Sequence, residues 1–127
     1  MIVLDTHTLI WWVENDSRLP AGLRNQLDQE SLIVPAIVCW EIAMLAAKGR
    51  IRLGVAASVY LDEVLLLPGV RLEPITPTIG EIAAGLTTDI PGDPADRLIA
   101  AMAIVTGSPL ATMDQRVRSA ALSTIWD

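Results

Sequence analysis

The chain has one cysteine, one histidine and one lysine. A lone cysteine, Cys39, cannot form an internal disulfide or supply a cysteine-cluster metal site, and beside Trp40 in an apolar segment it reads as a core residue. Positive charge is scarce: 9 Lys and Arg stand against 15 Asp and Glu, for a formal net charge of -6. That balance excludes a nucleic-acid binder that works by blanketing phosphates with cations. It leaves room for an enzyme that meets phosphates through a bound metal. Long hydrophobic runs are also missing, although 52% of the residues are hydrophobic and the mean hydropathy is +0.46. The longest apolar stretch, residues 35–47, is too short to span a bilayer and carries Glu41 in its middle. No basic segment precedes the first apolar residues, and Asp5 and His7 interrupt what could have been a signal core. The expectation is a cytoplasmic protein without a membrane span.

A chain of 127 residues is the size of one domain, here residues 1–127, with no linker or internal repeat to divide it. Strand-like and helix-like segments alternate, the pattern of a parallel sheet covered on both faces. "IVL", "SLIV", "VRLEPI", "PLAT" and "STIW" are the strand candidates. Helices are expected over residues 8–13, 20–29, 35–48, 55–67, from 77 onward, over 94–105 and over 115–122. Pro20 and Pro77 suit first turns, Thr76 an N-cap, and Gly49 a left-handed helix end. The predicted architecture is α/β: a three-layer α/β/α sandwich around a mostly parallel sheet.

Four carboxylates stand out against this frame. Asp5 ends the first strand, and ligands of open α/β sheets bind outside the carboxyl ends of strands. Glu41 has Ile37, Met44 and Leu45 one turn away, so its charge falls on an apolar stripe, where an unpartnered carboxylate costs several kcal/mol. In "DPADRLIAA", Asp93 reads as an N-cap and Asp96 as the third helical residue, with Ile99, Ala100 and Ala103 above it. Capping is a sufficient account of Asp93, and a supporting place beside the site is an equal alternative. Asp114 follows "LAT" as Asp5 follows "IVL". Two carboxylates about 5 Å apart repel by about 3 kcal/mol at an effective dielectric of about 20, so four sharing one crevice require a cation. Oxygen-only ligands select Mg²⁺, with Mn²⁺ as a substitute. Phosphodiester hydrolysis then becomes the leading chemistry. Thr6, His7 and Thr112 neighbour these acids and could support them by hydrogen bonds, while ordinary turn chemistry explains the threonines nearly as well. Arg50, Arg97 and Arg116 are candidate contacts for a phosphate backbone, beside the plain reading of a solvated surface.

"LDTHTLIWW", "CWEIAMLAAKGRI", "DPADRLIAAMA" and "LATMDQRV", in this order and spacing, resemble the PIN domain, and more closely its VapC ribonuclease toxins. The resemblance implies a Mg²⁺-dependent endoribonuclease leaving a 5′-phosphate and a 3′-hydroxyl. It implies Asp5, Glu41, Asp96 and Asp114 as the catalytic set; within it Asp5, Asp96 and Asp114 are expected to bind the metal while Glu41 orients ligands or the attacking water. It also implies a VapB-like antitoxin as partner and Asp93 as an occasional contributor through water. Relatives often carry a lysine soon after the helix glutamate, where this chain has Met44 and Leu45. A homodimer is expected as well, and the apolar residues Val59, Tyr60, Val64 and Leu65 offer a surface for either partner.

Two other readings compete. A receiver-like binding module would need a lysine near the end of the chain, and the only lysine is Lys48. A PIN-type housekeeping nuclease or a non-catalytic module would share the fold without the toxin role.

Overall fold

The computed structural model describes residues 1–127 apart from 87–89, 91–93, 115, 118–121 and 127. Asp93 therefore lies outside the described residues, as does most of the helix expected over 115–122. Among the described residues five strands form the sheet: β1 (Ile2–Leu4), β2 (Leu32–Pro35), β3 (Val70–Glu73), β4 (Leu110–Ala111) and β5 (Thr124–Ile125), in the order β3-β2-β1-β4-β5. Every neighbouring pair is parallel, with Ile2 opposite Leu32 and Val3 opposite Leu110 in the central registers. All residues of β1 and β2 are buried. Because strand side chains alternate between faces, this continuous burial requires cover on both sides of the sheet, the α/β/α arrangement expected.

The covering helices are α1 (Thr6–Val13), α2 (Ala21–Gln29), α3 (Ala36–Ala47), α4 (Ala57–Leu65), α5 (Pro77–Gly85) and α6 (Pro94–Thr106). Their ends follow local chemistry. Thr76 Oγ1 accepts the Ile79 N–H at 3.3 Å ahead of Pro77, satisfying one of the orphan amides of α5. Beyond α3, Gly49 adopts φ 69°, a left-handed conformation that costs other residues more. Helix α1 begins two residues earlier than its hydrophobic period predicts, because Asp5 Oδ1 accepts the Thr8 N–H at 2.9 Å and caps the helix.

Helix α6 packs on β1, β2, α3 and α5, so its Ile99, Ala100 and Ala103 are buried as the spacing predicts. In α4, Tyr60 and Val64 are buried and Leu65 is half-buried; these belong to the core and leave Val59 as the exposed member of the expected partner surface. No helix among the described residues is long and apolar enough to cross a membrane.

Candidate active site

The sheet order places a topological switch at its centre. From β1 the chain builds outward through β2 and β3, then returns to lay β4 on the other flank of β1. Loops leaving the carboxyl ends of β1 and β4 diverge there and open a crevice. Asp5 directly follows β1, and Asp114 sits just beyond β4. Two hydrogen bonds onto the Ala111 carbonyl lock the edges together, from the Asp5 N–H at 3.4 Å and from the buried Thr8 hydroxyl at 3.0 Å.

A cavity of about 260 Å³ occupies this crevice, and Asp5, Glu41, Asp96 and Asp114 all line it. Asp5 is fixed by its capping bond. Asp96 stands in the first turn of α6, where the exposed amides and the helix dipole favour negative charge. Glu41 reaches the cavity from α3 and accepts a hydrogen bond from the Thr6 hydroxyl at 2.5 Å. Glu41 does not lie in the middle of the core stripe, contrary to the periodicity. The buried residues of α3 are Val38 and Ile42, one turn apart, and Glu41 is half-buried on their flank. Apolar Ile99, Leu110 and Val117 complete the lining.

Asp114 is held from both sides along the chain, by Thr112 and by Arg116. Its N–H donates to Thr112 Oγ1 at 3.1 Å, and its carboxylate accepts from the Arg116 backbone N–H, Nε and Nη2 at 2.9, 3.0 and 2.9 Å. The Arg116 guanidinium holds the Asp114 carboxyl below the usual carboxylate range. Asp114, with a smaller contribution from Asp96, raises Arg116 in turn. The same Asp-x-Arg clasp recurs at Asp16 and Arg18, where it brings the Asp16 carboxyl down to about 2.

Of the predicted site residues, the cavity brings together Asp5, Thr6, His7, Glu41, Asp96, Thr112, Asp114 and Arg116. Arg50 is exposed beyond α3, and Arg97 is half-buried on α6; both lie outside the cavity lining. Among the described residues, no three His, Cys, Asp or Glu side chains are gathered as a ready-made metal cage. The donor chemistry still suits a hard divalent ion, since the acids around the cavity offer only oxygen and such ions keep part of their water shell. Sequence reasoning missed the adjoining Trp11, Arg18 and Met113. The signal for Arg18 was available in the repeated Asp-x-Arg spacing.

A family model described as PIN domain matches residues 2–122. Ribonuclease VapC22 of Mycobacterium tuberculosis is 39% identical over 119 residues, covering 93% of this chain and 90% of that protein. VapC20 of the same organism, described as a sarcin-ricin loop cleaving toxin, matches the whole of both chains with a TM-score of 0.73 at 19% identity. The DNA-bound VapBC of Salmonella typhimurium matches with a TM-score of 0.71 at 19% identity, over 98% of this chain and 96% of that one. VapBC2 of Rickettsia felis, bound to a promoter DNA fragment, gives 0.69 at 21% identity over both whole chains. The three structures establish a shared fold. With the match to the family model and to VapC22 along nearly its full length, the chain belongs to the PIN-domain family, in its VapC branch.

Proposed function

We propose that this protein is a divalent-metal-dependent endoribonuclease and the toxin of a toxin-antitoxin pair. The observation that carries the reading is the convergence of Asp5, Glu41, Asp96 and Asp114 on one cavity at the switch point of the sheet. The 39% identity to a protein named a ribonuclease supports RNA as the substrate.

In this reading Asp5, Asp96 and Asp114 hold Mg²⁺, or Mn²⁺ in its place. When bound, such an ion neutralises charge on the scissile phosphate and lowers the pKa of water. Glu41, steadied by Thr6, orients the attacking water as a hydrogen-bond acceptor. Thr112 positions Asp114 through its backbone N–H. Arg116 lines the cavity and orients Asp114 through its Nε and Nη2 donors. His7, exposed at the mouth, serves as a hydrogen-bonding group there.

The partners are a VapB-like antitoxin and a second copy of the chain. VapBC assemblies among the structures of the same fold support the first. Exposed Trp40, Val59, Leu66 and Leu72 provide apolar surface for such contacts.

The test is incubation of purified protein with a mixed RNA pool and Mg²⁺ or Mn²⁺, beside EDTA and Asp96→Asn controls. Cutting that is lost in both controls supports the reading. Cutting that survives Asp96→Asn overturns the assigned site, and RNA left whole by the folded, antitoxin-free protein overturns the nuclease.

A further inference from the structure

The cleft does not end at the carboxylates. A second groove, of about 590 Å³, shares Asp5, His7, Asp114 and Arg116 with the first cavity and adds Trp11, Arg18 and Met113. Its chemistry is planar where that of the first cavity is acidic. Trp11 is only 6% exposed and meets Trp126 edge to face at 5.9 Å, so its ring is fixed. The His7 ring tilts against it at 5.8 Å, and the Arg18 guanidinium carbon lies 4.8 Å from the Trp11 ring centroid.

Arg18 is held in place although its side chain is 66% exposed. Its Nε and Nη2 donate to the two oxygens of Asp16 at 3.0 and 2.8 Å, and its backbone N–H donates to Oδ1 at 2.9 Å. Asn15, at φ 54°, and the Asp16 N–H bond to the Trp11 carbonyl at 2.9 Å close the turn that leads from α1 to Arg18. Ordering a long exposed side chain sacrifices rotamer entropy. The result is a guanidinium whose charge is already matched by Asp16 and whose flat face remains available. Such a surface suits a nucleobase better than a phosphate, because stacking uses the face and leaves the hydrogen-bonding edge with Asp16.

We propose that this groove seats the base of the unpaired RNA nucleotide beside the phosphate being cut, stacked on the Arg18 guanidinium that Trp11 backs, with His7 and Met113 at its edges. The inference rests on the ribonuclease reading above. Continuity with the acidic cavity places the base next to the reacting phosphate. A base can use the groove only when unstacked from its neighbours, which selects single-stranded or looped RNA. Met113, 56% exposed and flexible, lets one groove accept different bases.

The test uses a fluorescein-labelled randomised single-stranded hexaribonucleotide in Mg²⁺ buffer. Cleavage is followed with the wild-type protein, Arg18→Ala and Arg18→Lys. Binding is followed by polarisation in the Asp96→Asn background with the same Arg18 changes. The expected result is a rise of about tenfold in both KM and Kd for Arg18→Ala, with kcat within about twofold. Arg18→Lys, which keeps the charge and loses the plane, gives a similar loss. Unchanged KM and Kd in Arg18→Ala, or full recovery in Arg18→Lys, overturns the stacking groove. Wild-type protein that binds the probe through Arg18 but never cuts it keeps the groove and overturns the nuclease. Absence of both binding and cutting overturns both.

Discussion

The hydroxyl of Thr6, in the first turn of α1, donates to the carboxylate of Glu41, in the middle of α3, at 2.5 Å. This bond joins the element that follows β1 to the element that follows β2, and Thr6 is 3% exposed. Thr6→Val keeps the shape and removes the donor, so a part-buried carboxylate loses a charge-assisted bond. The expected cost is about 1–2 kcal/mol of stability in urea unfolding, with Thr6→Ser close to wild type. Cleavage by Thr6→Val falls in kcat more than in KM, because Glu41 is left less well oriented.

Asp5 carries two roles that substitution separates. Its carboxylate caps α1 through the Thr8 N–H and also lines the acidic cavity. Asparagine caps nearly as well as aspartate but brings no charge to a metal. Asp5→Asn therefore unfolds at close to the wild-type urea concentration, while Asp5→Ala loses about 1 kcal/mol. Both lose cleavage by about 100-fold or more, since several kcal/mol of transition-state charge stabilisation goes with the ligand. Comparable losses of stability in the two variants would show that the cap is not what Asp5 contributes to folding.

The legible parts of the fold were those set by local signals. Pro35, Gly49, Thr76 and Pro77 mark helix ends whose chemistry acts within a few residues, and the structure places those ends within a residue or two of the expected positions. Asp96 was legible because Ile99, Ala100 and Ala103 define one face of α6. The orientation of Glu41 was less so. Helix α3, "AIVCWEIAMLAA", is apolar almost all round, so its period selects no face, and packing against α6, α4 and the sheet decides that Val38 and Ile42 turn inward. The Arg18 platform was legible only in part: the repeated Asp-x-Arg spacing marks the clasp, but the turn that brings Arg18 onto Trp11 makes a contact between side chains that no periodicity describes.

Arg116 and Asp114 make a pair whose contribution depends on pH in a defined direction. The Arg116 guanidinium lowers the Asp114 carboxyl from its ordinary value of 3.8. A carboxyl depressed in the folded state adds stability that is complete above its unfolded pKa and is lost as pH falls through the folded one. Arg116→Ala should therefore melt below wild type at pH 6, with the gap closing as the pH drops below the ordinary carboxylate value. NMR titration of the Asp114 carboxyl carbon in both proteins checks the cause: its midpoint moves up in Arg116→Ala. A gap that widens on acidification would show that Arg116 acts on stability through other groups.

Convergent carboxylates also predict how the folded protein responds to cations. Asp5, Glu41, Asp96 and Asp114 share a cavity only in the native state, so an ion bound among them stabilises the fold by linkage. At about 100 times its dissociation constant, Mg²⁺ or Mn²⁺ is expected to add about 2.7 kcal/mol, and EDTA to reverse the gain. Screening by NaCl at matched ionic strength acts on all surface charges alike and gives less. Asp96→Asn relieves part of the repulsion while removing a ligand, so its melting temperature without metal rises or holds while its response to Mn²⁺ shrinks. This opposite movement distinguishes a cation site from general charge screening. Equal Mn²⁺ responses in wild type and Asp96→Asn would place any bound ion away from this cavity.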